Sequence, residues 1–418
     1  MTKRHVAHIV VEADTPLRVG SSAMDFLQDA PVQKDWNGLP MILGTSIAGV
    51  LRKDFGDKKL FGFQDGENGE GSKVIVSNAL LLDDKGDVSE GLLLEKSDFL
   101  KIFENLPVRE HVRIDSKGTA ENGAKFDEEV VYKGSRFKFS IELIEEQEEV
   151  FEEILSLLSN PTFRLGGGSA KGFGKLKVIE IKTAFVDLWQ YSSSLNQALG
   201  ETYTSATPES AAKHTKYTLK IKPDDFFMFG SGFGDSDADM TPVFEQTVDY
   251  KAGKLTDKQI LIPASGIKGA LAHRTTYHYN LLKKFYIGNP EARSSIPEVF
   301  GEAKNSKQNI DGSKGKILIS DCFKTFNETK QTKTFDHVII DRFTGGAIDG
   351  ALFQEKTIAD DGGYEIEILL ENGIDKEYID AFESALHDVC TGMLPLGGAT
   401  TKGHGVFIGE ALKNGERL

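Results

Sequence analysis

The chain has 418 residues, enough for two domains with a core each, and a hydrophobic share of 39% beside 27% charged residues describes an ordinary globular protein. A formal charge of −15 excludes nucleic-acid binding by bulk positive charge; because acidic residues gather in runs such as Glu145-Glu146-Gln147-Glu148-Glu149 and around Asp235, Asp237 and Asp239, a local basic groove stays open. No apolar run is long enough to span a bilayer, Met1 to His5 lead into a strand-like alternation, and Cys322 and Cys390 support neither a disulfide framework nor a zinc cluster, so a cytoplasmic protein without a membrane partner is expected.

His5 to Glu12 alternate as a strand, followed by a loop with Asp25, Asp29 and Asp35. Leu39 to Ser46 lead into a helix predicted over Ile47–Phe55, and a strand is predicted over Lys73–Leu82. After an irregular stretch, Val108–Lys125, a strand is expected from Phe126 through Ile144. An acidic helix, Glu146–Leu158, carries Val150, Ile154, Leu157 and Leu158 on one face and stops at Asn160-Pro161. A glycine-rich loop, Leu165 to Gly174, then opens onto a strand over Lys175–Ile181. Ser, Thr, Ala and Gly dominate 191–213, as in a linker.

Beyond it the order begins again. Tyr217–Ile221 reads as a strand, Ile260 to Leu271 repeats Met41 to Leu51, and Lys316 to Asp321 repeats Lys73 to Asn78. His111 to Asp115 matches His337 to Asp341, and Asn122 to Phe126 matches Asp349 to Phe353. A helix over Glu377–Cys390 precedes a second glycine loop, Leu396 to Gly405, with the glycine pairs and one lysine in register. Blocks recurring in one order mean a duplicated domain: 1–190, a linker 191–213, and 214–418. Each half reads β-α-β-β-α-β, an α+β, ferredoxin-like (RRM-like) arrangement with an insertion before the third strand and a C-terminal glycine-rich loop.

Paired glycines, Gly166-Gly167 and Gly397-Gly398, allow positive φ and close backbone approach, and their amides with Lys171 or Lys402 suit phosphate oxygens; glycine clusters also serve plain turns. The helix starts holding Ser46 and Ser265 offer N–H groups to an anion, with Arg52 one turn on in the first half and Lys268 and Arg274 in the second; the plain alternative is an N-cap with solvated cations behind it. The inserts combine His111, Arg113 and Phe126, or His337, Arg342 and Phe353, as single-strand binding surfaces do. With no second His or Cys at ligand spacing, the histidines also read as structural, and the aromatics as core. Asp29, and Asp237 or Asp239 in the second half, could hold a divalent cation or position an attacking hydroxyl, or simply be solvated turn residues.

At these residues the sequence resembles the RAMP (repeat-associated mysterious protein) superfamily of CRISPR effector subunits, and both halves look like the RNA-cleaving backbone subunit of type III complexes. Two such units in one chain resemble the double-backbone subunit of type III-D systems. The resemblance implies that palm and glycine loop hold guide RNA, that the insert is a thumb kinking the guide–target duplex, and that an aspartate before the first helix cuts target RNA with Mg2+ or another divalent cation. By position, Asp29 is the first catalytic and metal candidate. Aligning Pro31 with Pro242 sets Met240 opposite Asp29, leaving Asp239, then Asp237, as substitutes. The implied partners are CRISPR guide RNA, target RNA and other type III subunits; pairing gives specificity while the chain reads backbone shape and a 2′-hydroxyl attacks in line.

Two rivals stay within RNA biology: a non-catalytic guide-holding subunit, and a metal-independent guide-processing endoribonuclease in which His404 is the tempting residue. A nucleotide-binding P-loop is disfavoured, since each glycine loop lacks Gly-Lys-Ser/Thr and leads into a strand.

Overall fold

The computed structural model describes residues 3–21, 30–115, 118–144, 147–187, 189, 191–203, 213–286, 288–302 and 311–418. The principal elements of the first half are β1 (Lys3–Ala13), α1 (Gly44–Asp54), β2 (Val74–Val76), β3 (Ala79–Leu81), the hairpin β4 (Val108–Ile114) and β5 (Ala120–Glu129), β6 (Arg136–Leu143), α2 (Glu148–Leu157) and β7 (Leu176–Asp187). Those of the second half are β8 (His214–Pro223), α3 (Ala264–Leu282), β9 (Ile317–Ile319), the hairpin β10 (Thr332–Ile340) and β11 (Ala347–Ala359), β12 (Tyr364–Glu371), α4 (Lys376–Cys390) and β13 (Phe407–Lys413).

Each half is built on an antiparallel sheet, β7-β1-β6-β3 with β2 also on β6, and β13-β8-β12-β9. Counting sheet strands alone, the first lies between the fourth and the third in both halves, and the insert hairpins stand apart. The apolar run of β1 buries Val6, Ala7, Ile9 and Val11, and α1 covers the sheet through Ile47 and Leu51. In the second half Tyr217, Leu219 and Ile221 of β8 meet Ile267 and Leu271 of α3 and Phe382 and Leu386 of α4.

Several expectations shift, among them the stretch Val108–Lys125 expected to be irregular, which forms most of the β4–β5 hairpin. The acidic helix buries Phe151, Ile154, Leu155 and Leu158 and leaves Val150 and Leu157 half-buried, because the spacing from Phe151 completes an i, i+3, i+4, i+7 stripe. The strand expected over Lys73–Leu82 breaks at Ser77-Asn78, where Asn78 Oδ1 accepts from the Gly44 amide (2.9 Å) at the start of α1. The strand expected from Phe126 to Ile144 divides into β5 of the hairpin and β6 of the sheet; Gly134, at φ +89°, turns the chain between them. Residues 191–203 pack on the first half: Leu195 is buried, Asn196 exchanges hydrogen bonds with the Val88 backbone, and Glu201–Thr202 pairs with β7. The rest of the expected linker, 204–212, lies outside the described residues.

A buried ion cluster joins the halves. Arg109, at the base of the first hairpin, donates from Nη1 to Asp321 Oδ2 (2.6 Å) and from Nη2 to Glu245 Oε2 (2.9 Å), with Nε on Glu245 Oε1. Burial works to lower the guanidinium pKa, but the two carboxylates outweigh it and hold it above the ordinary value. The Arg109 guanidinium also lies over the Phe173 ring, 4.9 Å from its centre. Beside it the short hairpin Val248–Asp249/Lys254–Leu255 of the second half clasps the first: Val248 joins the first core, and the Tyr250 hydroxyl donates to Leu82 O (3.0 Å) and accepts from Arg136 N (3.0 Å).

Removing Arg109 strands two buried carboxylates. Arg109→Met is expected to weaken the joint by about 3–5 kcal/mol. In urea unfolding followed by tryptophan fluorescence and circular dichroism, the variant should show an earlier first transition than the native chain, with the two probes no longer superimposing.

Candidate nucleic-acid interface

The glycine loops first satisfy the chain itself. Gly166 (φ +84°) and Gly397 (φ +94°) pack so closely on the carbonyls of Arg18 and Met228 that no Cβ fits, and the Gly167 and Gly398 amides donate to those carbonyls (2.8 and 2.7 Å). The expectation that these amides stand free for phosphate is therefore corrected: the glycine pairs fasten each loop to the extended segment at Arg18 or Met228.

What the loops carry is a lysine aimed at the hairpin base, where both halves build the same cluster. In the first half Glu128 of β5, 1% exposed, meets Arg18 (2.9 Å), His111 Nε2 (3.1 Å) and Lys171 Nζ (3.6 Å). In the second, Glu355, 0% exposed, meets Lys402 Nζ (2.6 Å), His337 Nε2 (3.6 Å) and His404 Nε2 (3.6 Å). Strand register sets His111 opposite Phe126 and His337 opposite Phe353, so the rings stack at 5.2 and 4.9 Å. Lys171 and Lys402 each lie 4.7 Å over the neighbouring phenylalanine. The histidines are thus held structurally within a surface whose rim is aromatic and cationic. Neither Glu128 nor Glu355 stands out in the sequence; the available signal was a carboxylate two residues after each phenylalanine, on the same strand face.

The loop of the first half also touches the other half. Gly172 abuts Ala264 and Asp321 at the start of α3, where the Ala264 amide donates to Asp321 Oδ1 (2.8 Å). Burial and the nearby charge of Lys171 both push the Lys268 ammonium pKa down, marking a cationic seam between the halves. Within the second half, Phe229 lies between Gly266 of the helix start and Gly397 of the loop. Ser46 and Ser265 are half-buried, and Arg52 is exposed. Arg274 is instead tied to Asp388 (2.5 Å), which also binds His278 (2.7 Å), so it braces α3 on α4. Arg113 is exposed beside Glu121 (3.5 Å), and Arg342 lies in the second hairpin's turn next to Phe343, 100% exposed.

Asp29 lies outside the described residues. Its counterpart follows from backbone pairing: Ser21 N and Ser231 N donate to Pro31 O and Thr241 O, Gln33 N and Val243 N to Val19 O and Phe229 O, and Glu129 N and Lys356 N to Ala30 O and Met240 O. Ala30 therefore corresponds to Met240, and Asp29 to Asp239, one residue from the alignment on Pro31 and Pro242. Asp239 is exposed and pinned to the hairpin, its Oδ2 accepting from Gln354 N (2.7 Å). Asp237 is 3.6 Å from Lys356 Nζ, which binds Asp235 more closely (2.6 Å). Among the described residues no three His, Cys, Asp or Glu side chains converge as a metal cage. His404 is 9% exposed and enclosed by Phe226, Phe335 and Glu355.

Fold and site define a tandem pair of strand-rich α+β modules, each closing a glycine loop onto a hairpin base. The chain belongs to the RAMP superfamily, whose family model matches residues 10–177 and 220–408, and is thereby a CRISPR-associated RNA-binding subunit that acts in complexes with RNA and other subunits. No curated protein matches it. Among the described residues, no helix is long and apolar enough to cross a membrane.

Burial works to raise the Glu128 carboxyl pKa, but His111, Lys171 and Arg18 outweigh it and hold it below the ordinary carboxylate value. A depressed folded value stabilises the fold fully above the unfolded value and loses that contribution as pH falls through the folded one. The melting temperature of the native chain should exceed that of Glu128→Gln by a constant margin above about pH 5, and the margin should close below about pH 4.

Proposed function

We propose that the chain is a fused double-backbone subunit of a type III, III-D-like CRISPR ribonucleoprotein, holding guide RNA across its two hairpin-base clusters and cutting target RNA beside Asp29 and Asp239. The observation that carries the reading is the same Glu–His–Phe–Lys cluster built twice, each time between a glycine loop and an inserted hairpin. Strand order and paired helices favour reading each half as ferredoxin-like, with the hairpins as thumbs. The unit boundary is proposed within 204–213, after the segment packed on the first half.

The thumbs carry exposed apolar residues, Val112 and Ile114 in one and Val338, Ile339, Ile340 and Phe343 in the other, suited to wedging between bases. A displaced target nucleotide frees its 2′-oxygen to attack the adjacent phosphorus; the P–O5′ bond breaks, leaving a 2′,3′-cyclic phosphate and a 5′-hydroxyl, while the 2′-proton leaves to water and water reprotonates the departing oxygen. Asp239, pinned to the second hairpin, and its sequence counterpart Asp29 are the carboxylates assigned to that segment of target. A carboxylate such as Asp239 fits Mg2+, which keeps several waters and takes phosphate oxygens; such a cation would supply charge stabilisation. Enclosure of His404 argues against metal-independent processing centred on it.

In a complex reconstituted with guide RNA and end-labelled target, Asp29→Asn and Asp239→Asn should each remove a different cleavage product and leave guide binding intact. Loss of neither product assigns cutting to another subunit. Lys171→Ala with Lys402→Ala should weaken guide RNA binding and lower its salt slope by about two.

A further inference from the structure

We propose that the cleft between the halves, next to the first glycine loop, binds a small phosphate-bearing ligand of nucleotide size. The cleft has a volume of about 770 Å³, within the usual range for small-molecule sites, and collects Lys53, Arg164, Lys213, Lys314 and Lys316 against only two carboxylates, Asp54 and Glu371. Over the whole chain the balance is reversed, 49 basic against 64 acidic residues, so composition does not produce this excess.

Arg164 sets the cleft apart. It is 5% exposed and, among the described residues, donates only to neutral groups: Ser169 O (3.2 Å) in its own loop, and Ile319 O (3.1 Å) and Ser320 Oγ (3.0 Å) across the joint. Its Nε is buried without a partner, and among the described residues no carboxylate lies within ion-pair distance of it. Arg109, equally buried in the same joint, has two carboxylates. Burial pushes the Arg164 pKa down to about 10 despite the more distant Glu367, Asp321 and Asp14. Enclosure in the cleft and the charge of Lys53 likewise hold the Lys314 ammonium below the ordinary lysine value. A buried cation without a counter-ion is costly, and a bound anion removes that cost.

A phosphate group matches this donor set, offering several acceptor oxygens to a guanidinium fork and flanking ammonium groups. Val50 and Leu318 supply an apolar wall beside the cations, which suits a base or sugar attached to the phosphate. The site does not depend on the RNA reading: it is lined by other residues than the hairpin-base clusters, and RNA cutting elsewhere leaves it standing.

Isothermal titration of the full chain at low salt tests it, with ATP as probe, against Lys53→Ala/Lys314→Ala, which spares the bonds of Arg164 across the joint, and against Lys171→Ala/Lys402→Ala. ATP should bind the native chain, about tenfold or more weakly to the cleft variant, and unchanged to the loop variant. A tetranucleotide tested with and without a 5′-phosphate separates the sources: binding that needs both the 5′-phosphate and Lys53 makes the ligand an RNA end, and its absence makes it a free nucleotide. The proposal is overturned if the native chain binds neither probe, if the loop variant loses binding and the cleft variant keeps it, or if inorganic phosphate alone binds.

Discussion

At the centre of the joint between the halves a guanidinium is enclosed by two carboxylates. Arg109 comes from the first hairpin, Glu245 and Asp321 from the second half, and none of the three is more than slightly exposed. Such a cluster stabilises only while every charge is matched, so it tolerates one relative placement of the halves and few others. The clasp of Val248 and Tyr250 then adds apolar burial to a joint already fixed in direction. With the joint set, the first glycine loop meets the start of α3.

Comparing the halves separates what duplication kept from what it changed. His111, Phe126, Glu128 and Lys171 recur as His337, Phe353, Glu355 and Lys402 with similar geometry. The joint does not recur. The hairpin position of Arg109 holds Phe335 in the second half, packed on His404 where the first half has Arg109 over Phe173. Its acidic socket, Glu245 and Asp321, corresponds to Asp35 and Asn78, and the Asp35 carboxylate is turned back on the amides of Asn37 (2.8 Å) and Leu39 (2.9 Å). The cluster is common to both halves, while the joint is particular to this pair.

Much of this was legible in the sequence, because blocks repeating in order constrain topology more than any one propensity does. The helices, the first strand of each half and the loop lysines follow from periodicity and register. The misses share a cause: they depend on partners far along the chain. Glu128 sits in Asp127-Glu128-Glu129, which reads as a solvated run, and only the convergence of Arg18, His111 and Lys171 makes burial of its carboxylate tolerable. The break at Ser77-Asn78 exists to serve the start of α1, thirty-odd residues earlier. Matching Pro31 to Pro242 by identity slipped the register by one residue, which in extended chain exchanges the two faces; the hydrogen bonds of Pro31 and Thr241 restore it.

An acidic chain that binds RNA has to work at short range. With a net charge of −15, long-range attraction to phosphate is lacking, and screening limits any local cation to about 8 Å at physiological salt. Lys171 and Lys402 are further offset by buried carboxylates, which weakens their pull on a phosphate. The same carboxylates hold the ammonium groups over Phe126 and Phe353, and ordering a lysine side chain costs up to about 2 kcal/mol of rotamer freedom that is here spent in folding. On the proposed reading, what such a surface loses in charge it regains in pre-organisation, and it would favour a strand whose backbone already has the right curve over a strand that is merely anionic. The exposed apolar hairpin residues would add contacts that unstacked bases satisfy. On that reading an acidic composition would make shape, more than charge, the basis of selection, whereas a basic chain with the same fold would hold any phosphodiester.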